Sequence, residues 1–224
     1  MLFRDRQQAG ELLGKELARR LGGRGDVLVL GLPRGGVPVA YEVAGALHAP
    51  LDVFIVRKLG VPGHEELAMG AIASGDVVVL NDDVLSQLRV PQPAIEAVAA
   101  RERQELARRE RSYRGNKPRL DVRARTVIIV DDGLATGSTM RAALRALRQM
   151  GPRQIIVAVP VAARLTCEEF RDEADQIVCL QTPEPFRAVG LWYEDFSQTS
   201  DEEVHDLLAR AETTTTQAMA GGGP

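Results

Sequence analysis

The residues best suited to chemistry in this sequence are two adjacent acids followed by a short loop rich in hydroxyl groups. An apolar run over residues 127–130 leads into Asp131 and Asp132, and residues 135–139 read Ala-Thr-Gly-Ser-Thr. The run predicts a buried strand, so the acids emerge at its carboxyl end, where open α/β sheets bind their ligands. Small side chains, backbone N–H groups and a helix N-terminus suit a phosphate. Carboxylates beside such a loop indicate a ligand with neighbouring hydroxyls and a phosphate, and a ribose 5-phosphate has both.

Residues 127–139 closely resemble the phosphoribosyl-pyrophosphate (PRPP) signature of type I phosphoribosyltransferases, in which two acids precede a Thr-Gly-(Ser/Gly)-Thr phosphate loop. The resemblance implies that Asp131 and Asp132 hold the 2- and 3-hydroxyls of the sugar, as catalytic residues. It also implies that PRPP is bound by Gly133, Leu134, Ala135, Thr136, Gly137, Ser138 and Thr139. The alternative is an ordinary strand, acidic turn and capped helix, because these residue types are common in turns and caps.

A glycine pair lies upstream, behind another apolar run. Residues 26–31 predict a buried strand, Arg34, Gly35 and Gly36 follow in a turn, and residues 37–48 have helical character. Adjacent glycines let the backbone approach a ligand closely, and Arg34 adds a cation. Type I phosphoribosyltransferases hold the pyrophosphate in a short loop of this kind, so the resemblance implies that role for these three residues. A simple turn is the alternative.

The third segment of interest, residues 57–66, follows a strand predicted at 52–56. Its glycines, proline and charges predict a mobile loop. Type I enzymes commonly carry an Arg-Lys pair here, with a flexible loop that folds over the pyrophosphate. Arg57 and Lys58 are therefore predicted to bind PRPP, and Lys58 is assigned the catalytic role of stabilising charge on the leaving group. A solvated hairpin is the alternative.

The elements that must position these residues alternate between strand and helix, which predicts an α/β fold. We expect the doubly wound, mostly parallel five-stranded sheet of type I phosphoribosyltransferases, with helices on both faces. The other predicted elements are an opening helix at 5–21, an antiparallel hairpin of 67–73 with 77–80, strands at 154–160 and 176–180, and a helix near 163–172.

We expect one phosphoribosyltransferase domain over residues 1–211 and a disordered tail over 212–224, which lacks an apolar period. Residues 182–208 concentrate aromatic side chains and, with the N-terminal helix, are expected to form a small hood. In the family the hood selects the acceptor, frequently on an aromatic ring, so Trp192 and Tyr193 are the candidate acceptor-binding residues. Aromatic clusters also pack cores and cover sheet edges.

Composition and charge argue against several other classes of protein. The net charge of −3 over 224 residues gives no overall drive toward nucleic acid. In residues 101–125 acids are interleaved with arginines, which favours a solvated face of weak ion pairs. Cys167 and Cys179 are too few for a disulfide framework. No apolar segment is long enough for secretion or a membrane span, so a cytoplasmic protein is expected.

The predicted activity is transfer of the 5-phosphoribosyl group of PRPP to a nitrogenous acceptor, a nucleobase or related base, with release of pyrophosphate. Magnesium is implied, held through substrate oxygens and water, with Asp131 and Asp132 as the acids that could touch it. Ala135 replaces the aspartate that handles the purine proton in hypoxanthine-type enzymes, which weakens a 6-oxopurine assignment. Over residues 5–208 the chain resembles a group of bacterial predicted phosphoribosyltransferases of unassigned acceptor.

Two further expectations concern regulation and assembly. A protein of this fold could instead bind PRPP or a nucleotide as a regulator without turnover, since fold and ligand site do not settle catalysis. A homodimer is expected because the long helix predicted from Pro91 to Tyr113 has few ways to bury itself within one chain.

Overall fold

The centre of the molecule is a parallel five-stranded sheet. The computed structural model describes residues 1–115, 117–119 and 121–220, and side chains as far as residue 213. The strands of the sheet are Val27–Gly31 (β1), Leu51–Val53 (β2), Thr126–Val130 (β6), Gln154–Val161 (β7) and Gln176–Gln181 (β8). Their spatial order is β2-β1-β6-β7-β8, and every neighbouring pair is parallel. Every residue of β1 and β6 is buried, as strands covered on both faces require. The predicted sheet is confirmed.

Helices cover both faces of this sheet. One core cluster joins the sheet to α1 (Arg6–Leu21), α2 (Gly36–Leu47), α4 (Gln92–Arg114) and α7 (Asp201–Ala220), and the other joins it to α5 (Ser138–Gln149) and α6 (Arg164–Glu173). A short helix, α3, covers Asp82–Leu88. The arrangement is the doubly wound fold expected from the sequence.

The N-terminal helix α1 is held tightly against α2. Its cap is Asp5, whose carboxylate accepts the N–H of Gln8 at 2.7 Å. A Cβ added at Gly10 or Gly14 would lie 2.8 Å from the Cβ atoms of Glu42 or Ala46, so both glycines permit the close crossing. This contact fixes the start of α1 near the loop that precedes α2.

A second, three-stranded antiparallel sheet is formed by Val56–Val61 (β3), His64–Ala73 (β4) and Val77–Leu80 (β5). The hairpin predicted from residues 67–73 and 77–80 is confirmed. Most of the loop expected over 57–66 is instead strand, because Leu59 and Val61 are buried with the alternation of a strand. Gly60 lies where the pairing of β3 with β4 shifts register.

The C-terminal part packs against the N-terminus. Phe3 forms an isolated bridge with Tyr193, and its N–H donates to Trp192 O at 2.9 Å. A 3-10 helix covers Val189–Trp192. We call residues 189–197 the hood segment, since they lie within the hood predicted from sequence.

Helix α7 occupies most of the predicted disordered tail. Disorder was expected from residue 212, whereas the helix extends to Ala220, and residues 221–224 lie outside the described residues. Buried Val204, Leu208 and Ala211 give α7 a packed first part, from which each further residue can add one backbone hydrogen bond to an existing helix.

Helix α4 does bury an apolar stripe within the chain. Ile95, Val98 and Leu106 are buried in the core that includes β3 and α7. This removes the physical argument from which a homodimer was expected, and self-association stays a prediction. Within the described parts of the chain, no helix combines the length and apolar character needed to cross a membrane.

Candidate functional site

The acid pair, Asp131 and Asp132, meets the glycine pair, Gly35 and Gly36, at the carboxyl end of the central strands. A Cβ at Gly36 would lie 2.7 Å from Val130 O and 2.9 Å from Asp131 Cα, and a Cβ at Gly35 would overlap Asp132 Oδ2. Only glycine permits this approach of the two loops. Both acids remain partly exposed. Two motifs that are far apart in the sequence therefore form one site.

An arginine that the sequence analysis missed contacts this site. Arg6 Nε donates to Asp132 Oδ2 at 2.9 Å, and its Nη2 lies 2.9 Å from the same oxygen. Arg6 Nη1 donates to Ser197 O at 2.7 Å, and the guanidinium carbon lies 3.9 Å from the Phe196 ring centroid. The one local signal is that Arg6 occupies the first position of α1, where the helix dipole disfavours a cation.

The acid pair has unusual electrostatics. Burial raises the pKa of Asp131 well above its usual range, and the neighbouring charge of Asp132 raises it further. Burial also raises the pKa of Asp132, against the charge and hydrogen bond of Arg6. The N–H of Asp132 donates to Asp131 Oδ1 at 2.9 Å. Two neighbouring acids titrate as a pair, and hydrogen bonds donated to them favour their charged forms.

Tyr193 supports the acid pair from the hood segment. Its hydroxyl donates to Asp132 O at 2.6 Å, and burial raises the pKa of this phenol. Its ring centroid lies 5.4 Å from that of Phe3 and 5.0 Å from that of Phe196. Tyr193 was predicted to stack on an acceptor, but its ring is packed in this cluster and presents no open platform.

Trp192 lies at the edge of the same aromatic cluster and is partly buried. Its Nε1 is buried without a hydrogen-bond partner among the described residues. Of the two predicted acceptor-binding residues, Trp192 is therefore the one with an unused donor.

The phosphate loop, residues 135–139, is held on one side by hydrogen bonds from neighbouring helices and is exposed on the other. Thr166 Oγ1 donates to Ala135 O at 2.6 Å, and Arg141 Nη1 donates to Thr136 O at 2.7 Å. Gly137 has a φ of 71°, and a Cβ there would lie 2.5 Å from Phe170 Cε2. The side of the loop formed by Ala135, Thr136, Ser138 and Thr139 is exposed.

Gly133 and Leu134, which precede the phosphate loop and were also predicted to bind PRPP, are less exposed than the loop itself. Leu134 N donates to Val161 O at 3.0 Å and Leu134 O accepts from Ala163 N at 2.9 Å, which fixes the loop to the end of β7. A Cβ at Gly133 would lie 2.5 Å from Val189 Cγ1. Helix α5 begins after Gly137 without a side-chain cap, so its first N–H groups are available to an anion.

The three predicted cations lie in different environments. Arg34 is beside the glycine pair, and its Nη1 is 3.9 Å from Asp201 Oδ1. Arg57 Nε and Nη2 donate to Glu102 Oε2 at 3.0 and 2.6 Å. Lys58 is more exposed and donates to Glu66 O at 3.2 Å. Neighbouring side chains of a strand point to opposite faces, so Arg57 and Lys58 cannot reach one ligand from the same side of β3.

Comparison with known proteins gives a consistent result. A family model described as a phosphoribosyl transferase domain matches residues 6–192. A Mycobacterium tuberculosis (strain H37Rv) protein, provisionally named a phosphoribosyl transferase, is 49% identical over 210 residues, covering 94% of this chain and 47% of the relative. This chain thus spans about half the length of that protein.

Two other relatives have more similar lengths. The bifunctional protein PyrR of Roseiflexus sp. (strain RS-1) is 31% identical over 69% of this chain and 66% of its own length. The crystal structure of TT1426 from Thermus thermophilus matches with a TM-score of 0.83 and 45% identity, covering 94% of this chain and 99% of that one.

Proposed function

Because the chain belongs to the phosphoribosyl transferase domain family, we propose that it transfers the 5-phosphoribosyl group of PRPP to a nitrogenous acceptor and releases pyrophosphate. The observation that carries this proposal is the direct packing of the glycine pair on the acid pair, beside an exposed phosphate loop. These are the three parts that a phosphorylated, pyrophosphate-bearing ribose requires.

Each part has a role in the proposed reaction. Asp131 and Asp132 accept hydrogen bonds from the sugar hydroxyls, and the first turn of α5 binds the 5-phosphate. The bond between the anomeric carbon and pyrophosphate breaks, and its electron pair leaves with the pyrophosphate. The acceptor nitrogen donates its lone pair to the anomeric carbon and then loses its proton to water. Such a reaction depends on positioning and charge compensation more than on a strong base.

Charge on the leaving pyrophosphate is stabilised by Arg34 and Lys58. Arg34 lies in the loop of the glycine pair, and Lys58 is bound only by the exposed Glu66 among the described contacts of its ammonium group. Arg57, by contrast, donates two hydrogen bonds to the Glu102 carboxylate. We therefore assign Arg57 the role of anchoring β3 to α4, in place of the PRPP contact predicted from sequence.

Magnesium belongs to this proposal through the substrate. Among the described residues, no group of three or more His, Cys, Asp or Glu side chains is gathered as a metal cage. Two acids, one already bound to Arg6, fit a cation held chiefly by pyrophosphate oxygens and water. When bound, it would neutralise charge on the leaving group.

The experiment is calorimetric titration of PRPP with Mg²⁺ into the protein, followed by pyrophosphate release across purines, pyrimidines, nicotinate and small amines. We expect saturable binding, which Asp131→Asn combined with Asp132→Asn abolishes, and release with at least one acceptor. Absent binding, or binding unchanged in the double variant, refutes the proposal.

A non-catalytic regulator that binds PRPP or a nucleotide is the second candidate. It is favoured by the similarity to a protein named bifunctional PyrR. On α4, Glu105 pairs with both Arg108 and Arg109, which leaves less free positive charge for a nucleic-acid partner. PRPP binding without release for any acceptor in the panel would favour the regulator.

A further inference from the structure

Arg6 joins three parts of the molecule that are distant in sequence. It stands at the first position of α1, contacts the second acid after β6 and contacts the hood segment near the C-terminus. Its side chain is 12% exposed and that of Asp132 is 15% exposed, so the ion pair is largely shielded from water. A pair of this kind differs from the exposed arginine–glutamate pairs elsewhere on α1.

The contacts of Arg6 use all three nitrogen atoms of its guanidinium group. Nε and Nη2 both approach Asp132 Oδ2, and Nη1 binds Ser197 O. The guanidinium also lies over the ring of Phe196. The arginine therefore engages one oxygen of the carboxylate and leaves Oδ1 to other donors. A planar fork held in this way fixes orientation as well as charge.

Asp132 is also fixed through its backbone. Tyr193 donates to its carbonyl, and its own N–H donates to Asp131. The charged and titratable groups around this carboxylate are thus Asp131, Arg6 and Tyr193. Arg6 is the one cation among these described groups, and it offsets the repulsion between two neighbouring acids.

We infer that Arg6 is a positioning residue of the sugar site, which holds the Asp132 carboxylate in the orientation that the sugar hydroxyls need and ties that orientation to the hood segment. The inference rests on the proposed function and assigns Arg6 no contact with the sugar itself. It separates Arg6 from the phosphate loop, which is held by Thr166 and Arg141. Loss of Arg6 should therefore affect binding of the sugar more than binding of phosphate.

The test is calorimetric titration of ribose 5-phosphate, PRPP with Mg²⁺, and inorganic phosphate into the wild type, Arg6→Gln and Arg6→Lys. Hydrogen bonds to charged groups are stronger than those between neutral groups, so we expect about tenfold weaker binding of both sugars in Arg6→Gln. Phosphate binding should be unchanged. Arg6→Lys should recover part of the loss, because lysine restores the charge and lacks the fork.

Arg20→Gln is the matched control. Arg20 lies on the same helix, is 45% exposed and pairs only with Glu16 among the described residues, so its removal should leave the affinity for all three ligands unchanged. Thermal unfolding reports whether each variant is folded, and Arg6→Lys keeps the test available if Arg6→Gln is not.

The outcomes separate this inference from the proposed function. Sugar binding unchanged in Arg6→Gln, or sugar and phosphate weakened equally, would overturn the positioning role while the proposed function stands. Failure of the wild type to bind either sugar would overturn the proposed function, and the inference with it.

Discussion

The hydroxyl of Tyr113 donates a hydrogen bond to Oδ1 of Asp201 over 2.8 Å. The same carboxylate oxygen lies 3.9 Å from Nη1 of Arg34, in the loop of the glycine pair. The first turn of α7 thus places a negative charge next to a cation that we assign to the pyrophosphate. An anion that binds Arg34 must compete with Asp201 for it.

Replacing Asp201 by asparagine should strengthen pyrophosphate binding. Asparagine keeps an acceptor for Tyr113 but removes the competing charge. Because the pair is substantially exposed, we expect a gain of about fivefold at most, as surface ion pairs contribute roughly 1 kcal/mol or less. Calorimetry with pyrophosphate and Mg²⁺ measures the change. Glu203→Gln removes a similar charge from the same turn, and an equal gain in that variant would show that Arg34 is not involved.

Glycine at position 36 should be essential for the site, whereas glycine at position 45 should not. Gly36→Ala places a Cβ 2.7 Å from Val130 O, so the two loops must separate, and overpacking of this kind costs about 1–3 kcal/mol. We expect loss of PRPP binding and a lower free energy of unfolding. Gly45, within the same helix α2, has open space where an added Cβ would lie.

Gly45→Ala is therefore the matched control. It should stabilise the protein by roughly 0.5–1 kcal/mol, since alanine is the better helix former. Urea unfolding measures both variants, and calorimetry measures their PRPP affinity. Equal behaviour of the two variants would contradict the close packing of the glycine pair on the acid pair.

The parts of this site that the sequence predicted are those whose signals are local. The acid pair, glycine pair and phosphate loop each follow a buried strand. Strand periodicity and turn residues therefore suffice to place them together at the carboxyl ends of parallel strands. The ion-pair partners of the site residues come from elsewhere. Arg6 of the first helix pairs with Asp132, Asp201 of the last helix with Arg34, and Glu102 of α4 with Arg57. Such pairings depend on how helices pack, and no local pattern contains them.

The prediction that Arg57 and Lys58 lie in a mobile loop was wrong for the same reason, since both belong to β3. Gly60, Pro62 and Gly63 indicate a loop when considered alone, but pairing of β3 with β4 stabilises the strand and confines the turn to its tip. The tertiary partner outweighed the local preference. The contacts of Arg57 and Lys58 could not be predicted without knowing that β3 is a strand, because the alternation of side chains along β3 decides which of the two reaches α4.

Removing the partner of Arg57 should destabilise the fold. Glu102 is buried and accepts from both Arg57 and Arg101. Glu102→Gln leaves Arg57 without its carboxylate, and because Arg57 is itself partly exposed we expect a loss of about 1–3 kcal/mol, below the range for fully buried pairs. Urea unfolding measures it.

Glu105→Gln on the same helix is the control for this change. Glu105 pairs with Arg108 and Arg109 at the surface, so its loss should cost less than about 1 kcal/mol. A cost for Glu102→Gln no greater than for Glu105→Gln would exclude the anchoring role that we assign to Arg57.

The thiol of Cys167 should ionise more readily than an ordinary thiol. A hydrogen bond from Cys179 lowers the pKa of Cys167, against the effect of burial. The ultraviolet absorbance of the thiolate, measured against pH, should therefore rise with a midpoint below that of an unperturbed cysteine. In Cys179→Ala the hydrogen bond is lost and burial remains, so the midpoint should move upward.

Cys167→Ala should abolish the transition, and a midpoint that is the same with and without Cys179 would show that the two thiols do not interact. Because Cys167 follows Thr166, which holds Ala135 of the phosphate loop, alkylation of this thiolate should also weaken phosphate binding.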